Sequence, residues 1–166
     1  MDALLRPALP EEYEIVLDIF SRAVAQMNRN GLYQWDEIYP DKDILRRDIE
    51  CGEMYLYVVQ QQPIACIVLN EEQDVTYQVV NWHCGSGRCA VVHRLCVDPQ
   101  YQNGGVARRM LEAAEELLKR SGYTSVRLDT FSQNPFALRL YERSGYVNRG
   151  EIALRKGRFL CYEKRL

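Results

Sequence analysis

One segment, from Ala90 to Ser121, constrains the fold of this chain more than any other. Its pattern predicts a valine-rich strand over Ala90–Val97, a turn with adjacent glycines, and a long helix over Gly105–Ser121. The helix carries a single apolar stripe, formed by Val106, Met110, Ala113, Ala114, Leu117 and Leu118. A buried strand that leads through a short turn into an amphipathic helix is a building unit of α/β sheets. We therefore expect an α/β protein with a mixed sheet.

The other elements are predicted from hydrophobic periodicity and turn residues. Before this segment we expect a strand over Leu4–Leu9, helices over Pro10–Asn30 and Asp43–Glu50, and a hairpin of Met54–Val59 and Ile64–Leu69 around a Gln-Gln-Gln-Pro turn. After it we expect a strand over Ser125–Phe131, a helix capped by Asn134, and a hairpin of Tyr146–Leu154 and Phe159–Lys164. The polar stretch Glu71–Arg88 is long for a connection, which indicates a functional loop or an extra strand.

Length and composition exclude several classes of protein. A chain of 166 residues has the size of one domain, so we expect a single domain over 1–166. A net charge of −2 gives no electrostatic reason to expect nucleic-acid or anionic-membrane binding. The six cysteines form no CxxC motif and are interpreted as reduced thiols of a cytoplasmic protein. The opening residues carry no secretion signal, and no apolar run is long enough to span a bilayer.

The turn between the central strand and the long helix is a candidate anion site. Gly104 and Gly105 let the backbone approach a ligand closely, and the free N–H groups of a helix N-terminus attract phosphate. Arg108 and Arg109 lie in the first turn of the helix, where cations oppose the helix dipole. A bound polyanion would make that placement favourable. The alternative is an ordinary glycine turn that begins a helix.

Two motifs in the chain resemble those of the GNAT family of N-acetyltransferases. Gln102-x-x-Gly105-x-Ala107 follows Leu95-Cys96-Val97-Asp98-Pro99 and is similar to the acetyl-CoA signature of that family. A second block, Asn134-x-x-Ala137-x-x-Leu140-Tyr141-x-x-x-Gly145-Tyr146, is similar to another family motif. The order of predicted elements also matches. The resemblance implies an acyl-CoA N-acyltransferase fold with a mostly antiparallel sheet of about seven strands and flanking helices.

The same resemblance implies a site for acetyl-CoA as co-substrate, and no metal. The strand before the signature would splay from its neighbour, and its main chain would hold the pantetheine arm. The residues implied in cofactor binding are Leu95, Cys96, Val97, Gln102, Asn103, Gly104, Gly105, Val106, Ala107, Arg108, Asn134 and Tyr141. The backbone N–H near Leu95 would stabilise the oxyanion. Transfer would proceed directly, in a ternary complex, with Cys96 serving as a small buried hydrophobe.

Tyr141 and His93 are the candidate acid and base. Tyr141 matches the family's usual general acid, and a phenol with a pKa near 10 stays protonated at neutral pH and can protonate a thiolate. A tyrosine that only closes a helix face is the alternative. His93 lies two residues before Leu95 on the same face of the strand and resembles the histidine of some family members. A structural histidine, with a water chain as base, is the alternative.

The group His83, Cys84, Cys89 and His93 contains residue types that bind zinc, but its spacing fits no standard zinc pattern. No metal is expected.

The acceptor is the least determined part of the prediction. Trp35 and Tyr39 lie in the segment that walls the acceptor site in the family, and Trp82 is expected on the opposite wall. Aromatic residues beside carboxylates suit the amine of a small molecule or a peptide, although Trp35 and Tyr39 could equally pack the helix junction. The rival interpretation is a non-catalytic acyl-CoA-binding or sensing domain. The sequence leaves the acyl chain length and the oligomeric state, a homodimer included, undetermined.

Overall fold

The computed structural model of the protein describes residues 2–166 and contains one mixed sheet of seven strands. The strands are β1 (Ala3–Pro7), β2 (Met54–Val59), β3 (Gln62–Asn70), β4 (Arg88–Val97), β5 (Tyr123–Phe131), β6 (Val147–Leu154) and β7 (Gly157–Arg165). Their spatial order is β1-β2-β3-β4-β5-β7-β6. β4 and β5 run parallel, whereas the β1–β2, β2–β3, β5–β7 and β6–β7 pairs are antiparallel. The predicted mixed sheet and the implied fold are confirmed.

Within residues 2–166, four α-helices connect the strands, in the predicted order. They are α1 (Tyr13–Arg29), α2 (Lys42–Glu50), α3 (Val106–Arg120) and α4 (Pro135–Arg143). Short 3-10 helices precede α1, cover part of the stretch between β3 and β4, and follow β4. The carboxylate of Asp41 accepts from the Ile44 N–H at the start of α2, which is an N-cap. No helix among residues 2–166 is both long and apolar enough to cross a membrane.

The β2–β3 hairpin turns within two residues instead of the predicted four. Gln60 and Gln61 have φ values of 49° and 65°, so both adopt the left-handed conformation that two-residue hairpin loops of type I′ require. Gln62 already pairs with Val59, and Pro63 pairs with Val58. The proline therefore lies inside the strand, where the sequence pattern predicted turn.

The chain forms two compact units. One holds the chain up to Leu69 together with Arg94–Ala114, and the other holds Asn70–His93 and Glu115–Leu166. The core of the first unit is formed by buried residues of α1, α2 and the strands, among them Val16, Ile19, Leu45, Met54, Leu56, Val68 and Cys96. In the second unit, Val126, Leu128, Cys161 and Tyr162 are buried on β5 and β7.

The stretch between β3 and β4 belongs to the second unit. It contains a 3-10 helix, Val75–Val79, and no strand among its described residues. The ring of Tyr77 is buried, which anchors this stretch. Of the two expectations for Glu71–Arg88, an extra strand is therefore wrong, and the stretch is a loop.

Candidate active site

The turn between β4 and α3 is held in shape by its own side chains. Gln102 Nε2 donates to the Val97 carbonyl at 3.1 Å, which closes the turn back onto the end of the strand. Asn103 has φ 64° and Gly105 has φ 74°, so the chain reverses through left-handed conformations before α3 begins at Val106. This geometry leaves the first N–H groups of α3 without partners inside the helix, as at any helix N-terminus.

Asp98 fixes the entry to this turn. Its carboxylate accepts from Arg22 at 2.6 Å and 3.1 Å and from the Gln100 N–H at 3.1 Å. The Asp98 N–H donates to the Ile64 carbonyl at 2.9 Å. The Asp98 carboxylate, bound to Arg22 of helix α1, and the Asp98 N–H, bound to Ile64 of strand β3, together set where the glycine turn begins.

The two arginines at the start of α3 differ in placement. Arg108 pairs with Glu112 one turn along the exposed helix surface, at 2.9 Å. Arg109 lies back over the glycine turn, because a Cβ added to Gly105 would be 3.0 Å from its Nη1. Arg109 thus places a cation next to the candidate anion site.

Within the first unit, the end of β4 carries an irregularity next to the predicted pantetheine strand. Arg94 has φ 50°, a left-handed conformation that is uncommon for a residue other than glycine. Leu95 is half-buried, and Cys96 and Val97 are buried. Burial raises the pKa of the Cys96 thiol well above its usual range, so this thiol stays protonated near neutral pH.

The Arg94 side chain is buried and contacts both α2 and the loop after α1. It forms a two-pronged ion pair with Asp48 of α2, both N–O distances being 2.8 Å, and donates to the Tyr39 hydroxyl at 2.8 Å. Burial raises the pKa of the Asp48 carboxyl, and the ion pair with Arg94 limits that rise. This network ties β4, α2 and the loop after α1 together.

The two aromatic residues predicted for the acceptor wall differ in environment. Trp35 is buried in the core and packs against Phe20 with ring centroids 5.5 Å apart, which matches the alternative of packing at the helix junction. Tyr39 is half-buried and keeps its hydroxyl on Arg94.

In the second unit, Asn134 is the N-cap of α4 and Tyr141 lies within that helix. Asn134 caps the helix, since its side chain accepts from the Ala137 N–H at 3.1 Å. Tyr141 is buried, and its ring contacts those of Tyr146 and Tyr162 at 5.7 Å and 6.1 Å. Burial, together with the negative charge of Asp129, raises the pKa of the Tyr141 phenol above its usual range. The phenol therefore remains in its protonated form.

The hydrogen bonds of His93 define its neutral tautomer. Its Nε2 lies 2.8 Å from Asn70 Oδ1 and 3.1 Å from the Glu72 carbonyl oxygen. Asn70 Oδ1 also accepts from the Glu72 N–H, which identifies it as the oxygen of the amide. Because both neighbours are acceptors, Nε2 carries the proton, and the lone pair of neutral His93 is on Nδ1.

Trp82 and the two residues after it are held by contacts within the second unit. Trp82 Nε1 donates to the Tyr77 carbonyl at 2.9 Å, and Arg127 stacks on the indole at 4.4 Å. Next to it, Glu163 accepts from the His83 and Cys84 N–H groups at 2.8 Å and 3.1 Å.

Arg127 and Arg149 complete the environment of Glu163. Burial would raise its pKa, but these partners outweigh burial and hold the pKa of Glu163 below its usual range. His83 and Cys84 are thus backbone donors here. Among residues 2–166 there is no group of three or more His, Cys, Asp or Glu side chains placed to hold a metal ion.

Sequence reasoning missed two features of the site regions, Arg94 with Asp48 and Asp129 with Tyr77. Both pairs join residues far apart in the chain, 46 and 52 positions respectively. The one available signal was an acidic residue inside a strand, Asp129 within β5.

Comparison with known proteins defines the class. The family model for the acetyltransferase (GNAT) family matches residues 13–146, and the chain belongs to this family. The chain is 27% identical over 164 residues to S-(2-succino)cysteine N-acetyltransferase of Bacillus subtilis, covering 96% of this chain and 93% of that protein. Family and relatives together make the chain an N-acetyltransferase.

Solved structures share the fold. A GNAT-family acetyltransferase from Streptococcus agalactiae superposes with a TM-score of 0.87 at 21% identity, covering 99% of this chain and 95% of that chain. The PaiA N-acetyltransferase of Thermoplasma acidophilum, solved in complex with coenzyme A, gives a TM-score of 0.73 at 17% identity, with 100% of both chains covered. At these identities the similarity establishes the fold.

Proposed function

We propose that the protein is a cytoplasmic, single-domain enzyme that transfers the acetyl group of acetyl-CoA to a primary amine of a small molecule or peptide-like acceptor. The observation that carries this proposal is the β4–α3 turn, in which Gln102 closes onto Val97 and Gly105 adopts φ 74°. Such a turn at a helix N-terminus suits a pyrophosphate. The coenzyme A in the Thermoplasma neighbour supports the same ligand class.

The acceptor class is suggested by the Bacillus relative. Its name gives S-(2-succino)cysteine as substrate, an amino acid whose α-amine is cationic before transfer. We propose an amino-acid-like amine as the first acceptor class for this chain. All six cysteines, each within the described residues, are free, which supports a reducing compartment.

In the proposed reaction the amine attacks the thioester directly. His93 Nδ1 takes a proton from the ammonium, the amine nitrogen bonds to the carbonyl carbon, and the C–S bond breaks with its electron pair on sulfur. Tyr141 then protonates the thiolate, and the surplus proton lost by the acylated nitrogen restores the Tyr141 phenol by way of water, so the products are the neutral amide and the CoA thiol, with His93 protonated. The N–H near Leu95 stabilises the oxyanion.

The cofactor contacts are proposed from the family motifs. The main chain of Leu95–Val97 holds the pantetheine arm, the turn from Gln102 to Arg108 holds the pyrophosphate with Arg109 beside it, and Asn134 contacts the lower arm. Cys96 is too basic and too buried to carry the acetyl group, which supports direct transfer in a ternary complex.

The test is acetyl transfer from acetyl-CoA to a panel of α-amino acids that includes S-(2-succino)cysteine, polyamines and short peptides, with products identified by mass. Tyr141→Phe should lower kcat about 100-fold, within the usual range for a general acid, and leave the Kd for acetyl-CoA unchanged. Tyr146→Phe, a neighbouring buried tyrosine, is the control. Unchanged turnover in Tyr141→Phe would remove this residue from the mechanism.

Coenzyme A binding without turnover on any amine would favour the rival, a sensing domain.

A further inference from the structure

Asp129 is a carboxylate in the second unit that no step of the proposed reaction uses. It lies in the middle of β5, pairs in register with Cys161 of β7, and is half-buried. Tyr77 donates its hydroxyl to Asp129 Oδ2 at 2.7 Å. The Tyr77 ring is buried, so it holds one oxygen of the carboxylate in a fixed position.

The charge of Asp129 has no counterion among the described residues. The other carboxylates that are withdrawn from water pair with cations: Glu12 with Arg6, Asp48 with Arg94, Asp98 with Arg22, Glu115 with Lys164, and Glu163 with Arg127 and Arg149. Around Asp129 the titratable neighbours are Asp74 and Tyr77 of the loop, Tyr141 of α4 and Cys161 of β7. None of them is cationic. Burial raises the pKa of Asp129, and the hydrogen bond from Tyr77 opposes that rise.

Asp129 lies on β5, the strand that pairs with the strand of His93, one of the candidate catalytic residues. The parallel register of β4 with β5 runs from Arg88–Tyr123 to Val91–Arg127. That pairing ends there, and His93 and Asp129 each lie two residues beyond the last pair, on the faces of their own strands that Val91 and Arg127 occupy by the period of two. The effect of the Asp129 charge on the pKa of Tyr141 shows that the carboxylate is also within electrostatic reach of the predicted general acid.

We propose that Asp129 binds the ammonium group of the acceptor, so that the substrate supplies the counterion that the chain lacks. This inference rests on the proposed function, because it assigns the acceptor contact of that reaction. The ligand chemistry is a primary ammonium group, and the Tyr77 hydroxyl orients the carboxylate that receives it. His93, the candidate proton acceptor, belongs to β4, the strand that pairs with β5.

The test uses the amine of the panel with the highest kcat/KM for the wild type. Asp129→Asn keeps an oxygen for the Tyr77 hydroxyl and removes the charge. We expect the KM for the amine to rise roughly 10- to 100-fold, the range for a hydrogen bond to a charged group, with the KM for acetyl-CoA unchanged. Asp129→Glu keeps the charge and should restore much of the affinity for the amine.

The matched control is Asp74→Asn. Asp74 is an exposed carboxylate of the same loop that caps the 3-10 helix through Thr76, and asparagine is an equally good cap. An unchanged KM for the amine in Asp74→Asn supports a local contact at Asp129. An equal rise of the KM for the amine in Asp74→Asn and Asp129→Asn overturns the proposal, since the effect would then come from the change in net charge.

Stability distinguishes binding from a structural role. Asp129→Asn removes a half-buried charge without a counterion, so its melting temperature should equal or exceed that of the wild type. An Asp129→Asn protein that unfolds, or one with an unchanged KM for the amine, overturns the inference and leaves the proposed function standing. A wild type that acetylates no amine overturns both.

Discussion

Gly105 is the residue at which a left-handed backbone conformation and the candidate anion site occur together. Its φ of 74° is a conformation that costs other residues about 1–2 kcal/mol, and a Cβ there would meet Arg109. At Gly104, by contrast, a Cβ would have only the Tyr101 carbonyl oxygen nearby, at 3.8 Å. Of these two adjacent glycines, only Gly105 is at a position where a side chain would be strained.

We predict that Gly105→Ala lowers the free energy of unfolding by about 1 kcal/mol and weakens acetyl-CoA binding about tenfold, because the methyl group projects into the turn. Chemical unfolding and titration calorimetry would measure both. Gly104→Ala should change each quantity much less. Equal effects at the two positions would contradict a special role for Gly105.

Glu163 shows how a buried carboxylate is kept ionised. Its pKa lies below the usual range, so its contribution to stability is present above the pKa of the unfolded chain and is lost as the pH falls. We predict that Glu163→Gln lowers the free energy of unfolding by about 3 kcal/mol at pH 7, and that the difference from wild type narrows below pH 4.5. Urea unfolding at several pH values tests this.

The control for Glu163 is Glu151→Gln. Glu151 pairs with Arg158 at the surface, with about half of each side chain or more exposed, and such pairs contribute little. A large loss in the control would mean that overall charge, rather than the buried network, determines acid sensitivity.

At the scale of elements, the irregular end of β4 is linked to α2 and the loop after α1 by the Arg94 network. Lysine cannot reproduce the two-pronged contact with Asp48. We predict that Arg94→Lys lowers the free energy of unfolding by about 2 kcal/mol and speeds amide exchange in the loop around Tyr39, measured by mass spectrometry. The control is Arg88→Lys, because Arg88 is in an exposed pair with Glu71. This variant should change neither the free energy of unfolding nor the amide exchange around Tyr39.

The element order was predictable because each element carries its own periodicity and end signals. Asn134-Pro135 predicted the start of α4, and the Asn134 cap is present. The acceptor side was less predictable. Trp35 is a core residue here, and the partners of Arg94 and Asp129 come from distant parts of the chain. Local sequence patterns contain no information on such pairs, which form only when the chain is folded.

At the scale of the whole molecule, ligand binding should raise the stability of the native state. We predict that acetyl-CoA at about 100 times its Kd adds roughly 2.7 kcal/mol, a shift of about 5–10 °C in Tm for a chain of this size. ATP and NAD, which share the adenosine pyrophosphate portion, should shift it less. No shift with acetyl-CoA would mean that the glycine turn only begins a helix.

The Gln60-Gln61 turn has a consequence for engineering and for divergence within the family. Gln60 and Gln61 adopt a conformation that Asn-Gly adopts with less strain. Replacing them with Asn-Gly should therefore raise the free energy of unfolding. Replacing the pair would give a more robust parent protein without altering any residue proposed to bind acetyl-CoA or the amine. Such a parent could tolerate destabilising changes in the acceptor loops, which are the changes that a new substrate specificity requires.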